Sequence, residues 1–287
     1  MTARLRLQLK LAPLALLTVA AAWGFAFVVM KDAIQRQSVN NFLFTRFSIA
    51  AIVLILIKPG CLKCFNKDLL QRGGLAGVFL GFGYITQTLG LERTGAAITG
   101  FITGLYVVFT PILASIILKE KITRFIWVCI LIATIGLGLL SIHGFSVGIG
   151  ELFVLASAFF YGVHIIALSK WSAKRDPYAL TVIQLSICAL LSGIASIPNG
   201  YSLPPDLGVW AVVIFTAIFA TSIAFIIQTW SQAHISATKV AVILTMEVVF
   251  AAFFAILFGG ERLTIQSLSG GVLVIIAMYL IVLKESK

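Results

Sequence analysis

Apolar residues run through this chain in long unbroken stretches rather than in alternation. Ten such runs are legible: about 11–30, 41–57, 73–91, 96–118, 125–142, 149–169, 178–197, 207–230, 236–258 and 266–283. Each is close to the roughly 20 residues that an α-helix needs to cross the hydrocarbon core of a bilayer. A lipid-embedded barrel would instead show short strands of alternating hydrophobicity. The connections are short, and none has room for a separate domain. The pattern predicts an all-α integral membrane protein with ten transmembrane helices.

The same five-run pattern occurs twice. The stretch 106–123 (YVVFTPILASIILKEKIT) aligns without a gap to 247–264 (EVVFAAFFAILFGGERLT), and Gln87 and Thr88 fall on Gln228 and Thr229 in that register. Upstream, Leu14, Leu17, Ala20 and Gly24 fall on Leu152, Leu155, Ala158 and Gly162, and Ser48, Ile49 and Ala51 on Ser186, Ile187 and Ala189. The two registers differ by three residues, which places one small insertion between them, expected in the loop 198–206. The units are 11–142 and 149–283. A unit with an odd number of spans reverses its orientation at each pass, so the two are predicted to be inverted five-helix repeats, an arrangement characteristic of secondary transporters.

Composition agrees with a lipid environment. Hydrophobic residues make up 60% of the chain and charged ones 11%, against roughly 25% charged in soluble proteins; mean hydropathy is +1.09. The formal net charge of +11 raises nucleic acid as a partner, but its distribution argues otherwise. With the N-terminus inside, the inner segments carry Arg4, Arg6, Lys10, Lys58, Lys63, Lys67, Arg72, Lys119, Lys121, Arg124, Lys170, Lys174, Arg175, Lys239, Lys284 and Lys287. The outer ones carry Lys31, Arg36, Arg93 and Arg262. This bias is the positive-inside signal, and it predicts that both termini are cytoplasmic. The basic start followed by an apolar run has the look of a signal peptide, but the run is the counterpart of 149–169 and is read as an uncleaved first span. Cys61 and Cys64 form a lone CxxC in an inner loop, a weak metal signal, and a reducing cytoplasm opposes a disulfide there.

Polar residues within the runs carry the candidate chemistry, because ionisable groups at membrane depth are costly and mark pathways or sites. Glu247 lies near the middle of the ninth run with no acid or base within a helical turn. It either takes part in transport or makes a buried structural hydrogen bond. Arg46, in the second run, is either an anchor that snorkels to the interface or a binding cation. Lys239 opens the ninth run two turns from Glu247, and His164 is mid-run in the sixth. Trp23 and Tyr161 occupy equivalent places in the two copies, as do Tyr84 and Phe225, and Gln87 and Gln228. Aromatics interleaved with amides are suited either to lining a polar cavity or to packing between helices. Gly73, Gly77 and Gly81, and Gly100 and Gly104, recur at four-residue spacing, which lets helix backbones approach closely. Pro111 predicts a kink in the fourth run, where the second copy has Ala252.

Several functions leave no trace. The chain has no GxxxxGK[ST] phosphate loop, no HExxH and no GxSxG, and neither an arginine ladder nor a carbonyl-filter motif in its spans. What is present resembles the ten-span permeases of the drug/metabolite transporter superfamily, specifically the EamA type, over about residues 11–283. The recognisable stretches are 94–123 (TGAAITGFITGLYVVFTPILASIILKEKIT) and 235–264 (ISATKVAVILTMEVVFAAFFAILFGGERLT), the latter closing on a G-E-x-hydrophobic-T ending at 260–264. Arg46 within FTRFSIAA matches an arginine common in the family's second span. Glu247 matches the family's L-E-P, with Val248 in place of the proline. The resemblance implies a bacterial inner-membrane carrier with two five-helix repeats around a central cavity, whose relatives move amino acids, other small metabolites or drugs, many of them outward.

The expectation is therefore a permease, not an enzyme, that moves a small organic solute such as an amino acid, amine or other metabolite by alternating access, in the export direction. Facilitated exchange or uptake of a nucleoside-type metabolite is an alternative, and a non-transporting membrane enzyme or scaffold another. Spans 1, 3, 4, 6, 8 and 9 are expected to supply the cavity. The candidate substrate-binding or coupling residues are Glu247, Arg46, Lys239, His164, Trp23, Tyr84, Gln87, Tyr106, Tyr161 and Gln228. Whether the charges take the solute or a coupling proton is open. No cofactor, metal or nucleic acid is implied; the partners are the solute and the bilayer, and the protein is a monomer or homodimer.

Overall fold

The computed structural model describes residues 3–93, 96–141, 148–258 and 264–284. Among these residues it is helical with no strand. The helices are α1 (Ala3–Arg36), α2 (Val39–Ile57), α3 (Lys67–Leu91), α4 (Ala96–Gly104), α5 (Tyr106–Leu113), α6 (Arg124–Ser141), α7 (Ile149–Trp171), α8 (Pro177–Ser196), α9 (Leu207–Ala217), α10 (Ala224–Gln232), α11 (Ala237–Leu244), α12 (Met246–Phe258) and α13 (Ile265–Lys284). Two π-helical turns, Ala114–Leu118 and Ile218–Ile223, follow α5 and join α9 to α10. Among the described residues, eight segments are long and apolar enough to cross a membrane, and the apolar parts of α6 and α13 are shorter, at Arg124–Leu139 and Leu268–Ile281. The chain is a multi-pass membrane protein. The loop 143–147 and the family-like ending at 259–263 lie outside the described residues.

Local sequence explains where the helices begin. Asn66 accepts from Leu69 N at 2.8 Å, Asp176 from Ala179 N at 2.9 Å, and Asp206 from Gly208 N and Val209 N. Each satisfies a helix-start donor that has no partner within its own helix. Pro177 follows Asp176 at the first helical position, where its missing N–H costs nothing.

The interior is assembled through small residues. A Cβ on Gly73, Gly77 or Gly81 would stand 2.7–2.9 Å from Ile183, Gln184, Ile187 or Leu191 of α8. The glycine stripe of α3 is thus the face that lets α8 approach, as its spacing predicts. Buried apolar side chains fill the rest, around Phe42, Phe47, Leu80, Leu180 and Phe225 in the largest cluster.

Pro111, where a kink is expected, lies inside α5, and the π-turn Ala114–Leu118 follows it. The fourth span breaks earlier, at Leu105, where Leu105 N bonds to Ile102 O and Val108 N to Leu105 O, the shorter three-residue spacing. The ninth span breaks one residue from the equivalent place, between α11 and α12, with Val248 N on Thr245 O. No proline stands at 252 or 248, so the break does not depend on one. It immediately precedes Tyr106 in one copy and Met246-Glu247 in the other.

Polar ties close both ends of the bundle. At one end, Arg36 reaches Asp206 at 2.6 Å, Asn41 Nδ2 donates to Ser202 Oγ at 2.9 Å, and Thr45 Oγ1 and Tyr201 OH share a hydrogen bond at 2.9 Å. At the other, Arg175 pairs with Asp68 at 2.6 Å and Tyr178 OH donates to Leu54 O at 2.6 Å. The ion pairs are exposed enough to contribute about 1 kcal/mol or less each.

Candidate functional site

One cavity occupies the middle of the bundle. It contains about 630 Å³ of empty space, counting the part open to the outside. Its walls come from α1, α3, α4, α5, α7, α10, α11 and α12, with Arg46 as the contribution of α2. Nine of the ten candidate residues meet there: Trp23, Arg46, Tyr84, Gln87, Tyr106, Tyr161, His164, Gln228 and Glu247. Lys239 does not. It is buried in the first turn of α11, where its backbone N–H is capped by Ser236 Oγ, and it is not part of the cavity wall.

Arg46 is 2% exposed. Its Nε donates to Thr221 Oγ1 at 2.7 Å and its Nη2 to Ala220 O at 3.2 Å. Nη1 points at Met30 Sδ at 3.4 Å. The guanidinium carbon lies 5.4 Å from the Tyr84 ring centroid and 5.7 Å from that of Phe47, within cation–π range. The charge is therefore held by neutral acceptors and ring faces. Among the described residues no carboxylate forms an ion pair with it, which leaves it free to meet an anionic group.

Glu247 is 5% exposed, and no hydrogen bond or ion pair holds it among the described residues. Tyr84 lies within electrostatic reach of both Glu247 and Arg46. A carboxyl without a partner is costly in a dry interior, and a cavity that admits solute or water relieves that cost.

The remaining polar groups divide into satisfied and unsatisfied sets. Gln87 accepts from Tyr161 OH at 3.0 Å and donates to Thr103 Oγ1 at 3.1 Å. His164 Nε2 and Gln184 Oε1 are 2.7 Å apart, and Gln184 Nε2 donates to Leu180 O. The amide is thus the acceptor, which assigns the proton to Nε2 and leaves Nδ1 as an acceptor. Tyr106 OH and Gln228 Oε1 line the cavity, are buried and have no hydrogen-bond partner among the described residues. Buried polar atoms are nearly always paired, so these mark places where a solute or water completes the site. Trp23, Tyr84, Tyr161 and Phe225 form a connected aromatic wall, with ring centroids 5.5–6.3 Å apart.

The sequence reading missed Thr221, the Ala220 carbonyl, Met30, Thr103 and Gln184. A signal for one of them was present. In the internal registers Thr221 replaces Leu80, and Arg46 stands where the second copy has Gln184. Cys61 and Cys64 are free thiols, one buried and one exposed, and among the described residues no group of three or more His, Cys, Asp or Glu is placed to hold a metal.

A helical membrane bundle around a cavity lined by aromatic, amide and charged side chains has the form of a membrane carrier. The model of the EamA-like transporter family matches residues 10–142 and again 148–283, and the chain belongs to that family, which makes it a transporter rather than an enzyme. An uncharacterized transporter of Archaeoglobus fulgidus is 32% identical to it, over 95% of this chain and 86% of its own length. The pseudopaline exporter CntI of Pseudomonas aeruginosa is 23% identical, over 91% of this chain and 93% of its own. A solved crystal structure, 16% identical, superposes with a TM-score of 0.82 over 96% of this chain and 97% of that one; at that identity the likeness is one of fold.

Proposed function

We propose that this transporter is a ten-span secondary carrier of the bacterial inner membrane, with both termini cytoplasmic, that exports a small zwitterionic or amine-bearing solute by alternating access. The observation that carries the reading is the pairing of charges within one cavity. Arg46 is a cation compensated by neutral groups, and Glu247 is a carboxyl with no hydrogen-bond or ion-pair partner among the described residues. Arg46 takes the anionic end of the solute. Glu247, with Tyr106 OH and Gln228 Oε1 as free hydrogen-bonding atoms, takes the amine or carries a coupling proton. The aromatic wall covers the body between them.

The two five-helix units, 11–142 and 149–283, are the moving parts. Their register accounts for the cavity, because equivalent positions of the two copies line it together: Trp23 with Tyr161, Ala26 with His164, Phe27 with Ile165, Tyr84 with Phe225, Gln87 with Gln228, Thr103 with Leu244, and Tyr106 with Glu247. Equivalent glycines also make equivalent contacts, Gly24 on Phe250 and Ala251, and Gly162 on Phe109 and Thr110. Both facts support a pseudo-two-fold axis through the cavity. The outward direction is supported by the name of the Pseudomonas relative.

Two experiments test this reading. In a metabolite-library thermal-shift screen, zwitterions and amines should raise the unfolding midpoint, since a ligand at 100 times its Kd stabilises the fold by about 2.7 kcal/mol. The stabilising compound should then show flux in proteoliposomes. A screen in which no such compound shifts the midpoint or is transported overturns the solute class. For topology, single cysteines in 58–72, 119–124 and 170–177 should resist an impermeant reagent in intact cells, and those in 143–148 and 198–206 should react. Labelling of the 58–72 loop overturns the orientation.

A further inference from the structure

We infer that the π-turn Ile218–Ile223 is the mount of Arg46, and that Thr221 is a positioning residue through which this turn sets how tightly the cavity holds a carboxylate. The inference rests on the reading of the cavity as the solute site.

Helices rarely adopt the wider π-turn, and where they do it commonly serves a site. Here the turn interrupts the eighth span at the point where it faces Arg46. Two side-chain donors converge on its Ala220 carbonyl: Trp23 Nε1 at 2.8 Å and Arg46 Nη2 at 3.2 Å. The next residue, Thr221, is fully buried and accepts from Arg46 Nε at 2.7 Å. Ser222 fixes the turn itself, donating to Ala217 O at 2.8 Å and to Ala50 O of α2 at 3.3 Å. The turn is thereby tied to the helix that carries Arg46.

The arrangement leaves donors over. A guanidinium has five N–H groups; Thr221, Ala220 and Met30 account for three, and the Tyr84 hydroxyl is also within hydrogen-bonding reach of the guanidinium. A carboxylate is best bound by two parallel guanidinium N–H groups, which requires the plane of the guanidinium to be fixed. Thr221 supplies that constraint at Nε, on the stem side of the fork. The two copies of the repeat separate at these positions together. Where the second copy carries Thr221, the first has Leu80; where the first carries Arg46, the second has Gln184; and the stretch of α3 equivalent to the π-turn is unbroken α-helix. Cation, hydroxyl and π-turn belong to one half-site of the pair.

The test uses the full chain in detergent, with benzoate and benzylamine as probes of opposite charge and similar ring. Thr221→Val removes the hydroxyl while keeping the branched shape. It is expected to weaken benzoate binding about tenfold, the ratio for one lost hydrogen bond to a charged group, and to leave benzylamine within about twofold. Thr221→Ser should restore benzoate. With arginine labelled at Nε, the Arg46 Nε–H resonance, assigned by its disappearance in Arg46→Lys, should move in Thr221→Val and stay in Thr221→Ser. If Thr221→Val loses both probes through misfolding, Thr221→Ala takes its place with the same expectations. A wild-type Nε–H resonance together with wild-type benzoate affinity in the variant without the hydroxyl overturns the inference. Benzoate binding that does not depend on Arg46 in the otherwise unaltered protein overturns the reading of the cavity instead, and the resonance still decides whether Thr221 holds Arg46.

Discussion

Glu247→Gln is expected to insert and fold as the parent protein does, and to lose transport or its dependence on pH. The amide keeps the size and planarity of the side chain, and no described residue loses a hydrogen bond or ion pair by the change. Stability should therefore be unchanged or slightly raised. Function should not be. If the carboxylate holds the amine of the solute, its removal costs about 1.5–3 kcal/mol for a hydrogen bond to a charged group, or about ten- to a hundredfold in apparent affinity. If it carries a proton, the amide cannot titrate, and flux becomes insensitive to a pH gradient. Proteoliposome flux over a range of solute concentrations, with and without the gradient, separates the two roles. Wild-type flux with an unchanged pH profile removes Glu247 from the mechanism and leaves Arg46 as the cavity's remaining charge.

Gly24→Ala should damage the fold and the site together. A Cβ at this position would lie 2.6 Å from Ala251 N, 2.7 Å from Glu247 O and 2.7 Å from Phe250 Cβ. Two of these are backbone atoms of α12, which cannot retreat without moving the helix. Overpacking costs about 1–3 kcal/mol where side chains can give way, and here the obstacle is a helix, so the upper end or beyond is expected. The contact includes the backbone of Glu247, so any α12 displacement also moves the cavity carboxyl. Gly100→Ala is the control, because among the described residues its Cβ would meet nothing nearer than Val248 at 4.0 Å, and a change within about 0.5 kcal/mol is expected there. Thermal midpoints in detergent, followed by size exclusion, measure both. A Gly24→Ala protein as stable and active as its parent would mean that α1 and α12 do not meet this closely.

Membrane helices are unusually legible because lipid demands one property of every spanning segment. It must be apolar for about 20 residues and must satisfy its own backbone hydrogen bonds. That is why the runs 41–57 and 149–169 lie close to α2 and α7. The polar residues that interrupt the runs were legible for the same reason, since the bilayer tolerates them only where protein or water receives them. Nine of ten candidates accordingly face one cavity. Lys239 is the exception: eight residues from Glu247 puts it on a nearby face of an unbroken helix, but the span breaks at Thr245, and the face is not continued through the break.

The helix breaks were only weakly legible: Gly104 and Thr245 disfavour a helix locally, but many other glycines and threonines lie inside unbroken spans. Proline is a local signal, and it pointed to Pro111, which lies inside α5; the breaks between α4 and α5 and between α11 and α12 recur in both copies, one residue apart in register, while only the first copy has the proline. The seat of Arg46 was equally hidden. A hydroxyl, a carbonyl and a thioether from three distant stretches become its partners only once α2 packs beside the π-turn.

The sequence by itself determined that the chain is a multi-pass helical membrane protein of the EamA type, and which polar residues needed an explanation, because hydrophobic periodicity and internal register are properties of the chain. Only the tertiary structure decided which of those residues share a cavity, and that among the described residues Arg46 is held by neutral partners while Glu247 is held by none. Those are distances between helices far apart in sequence, and no local pattern encodes them.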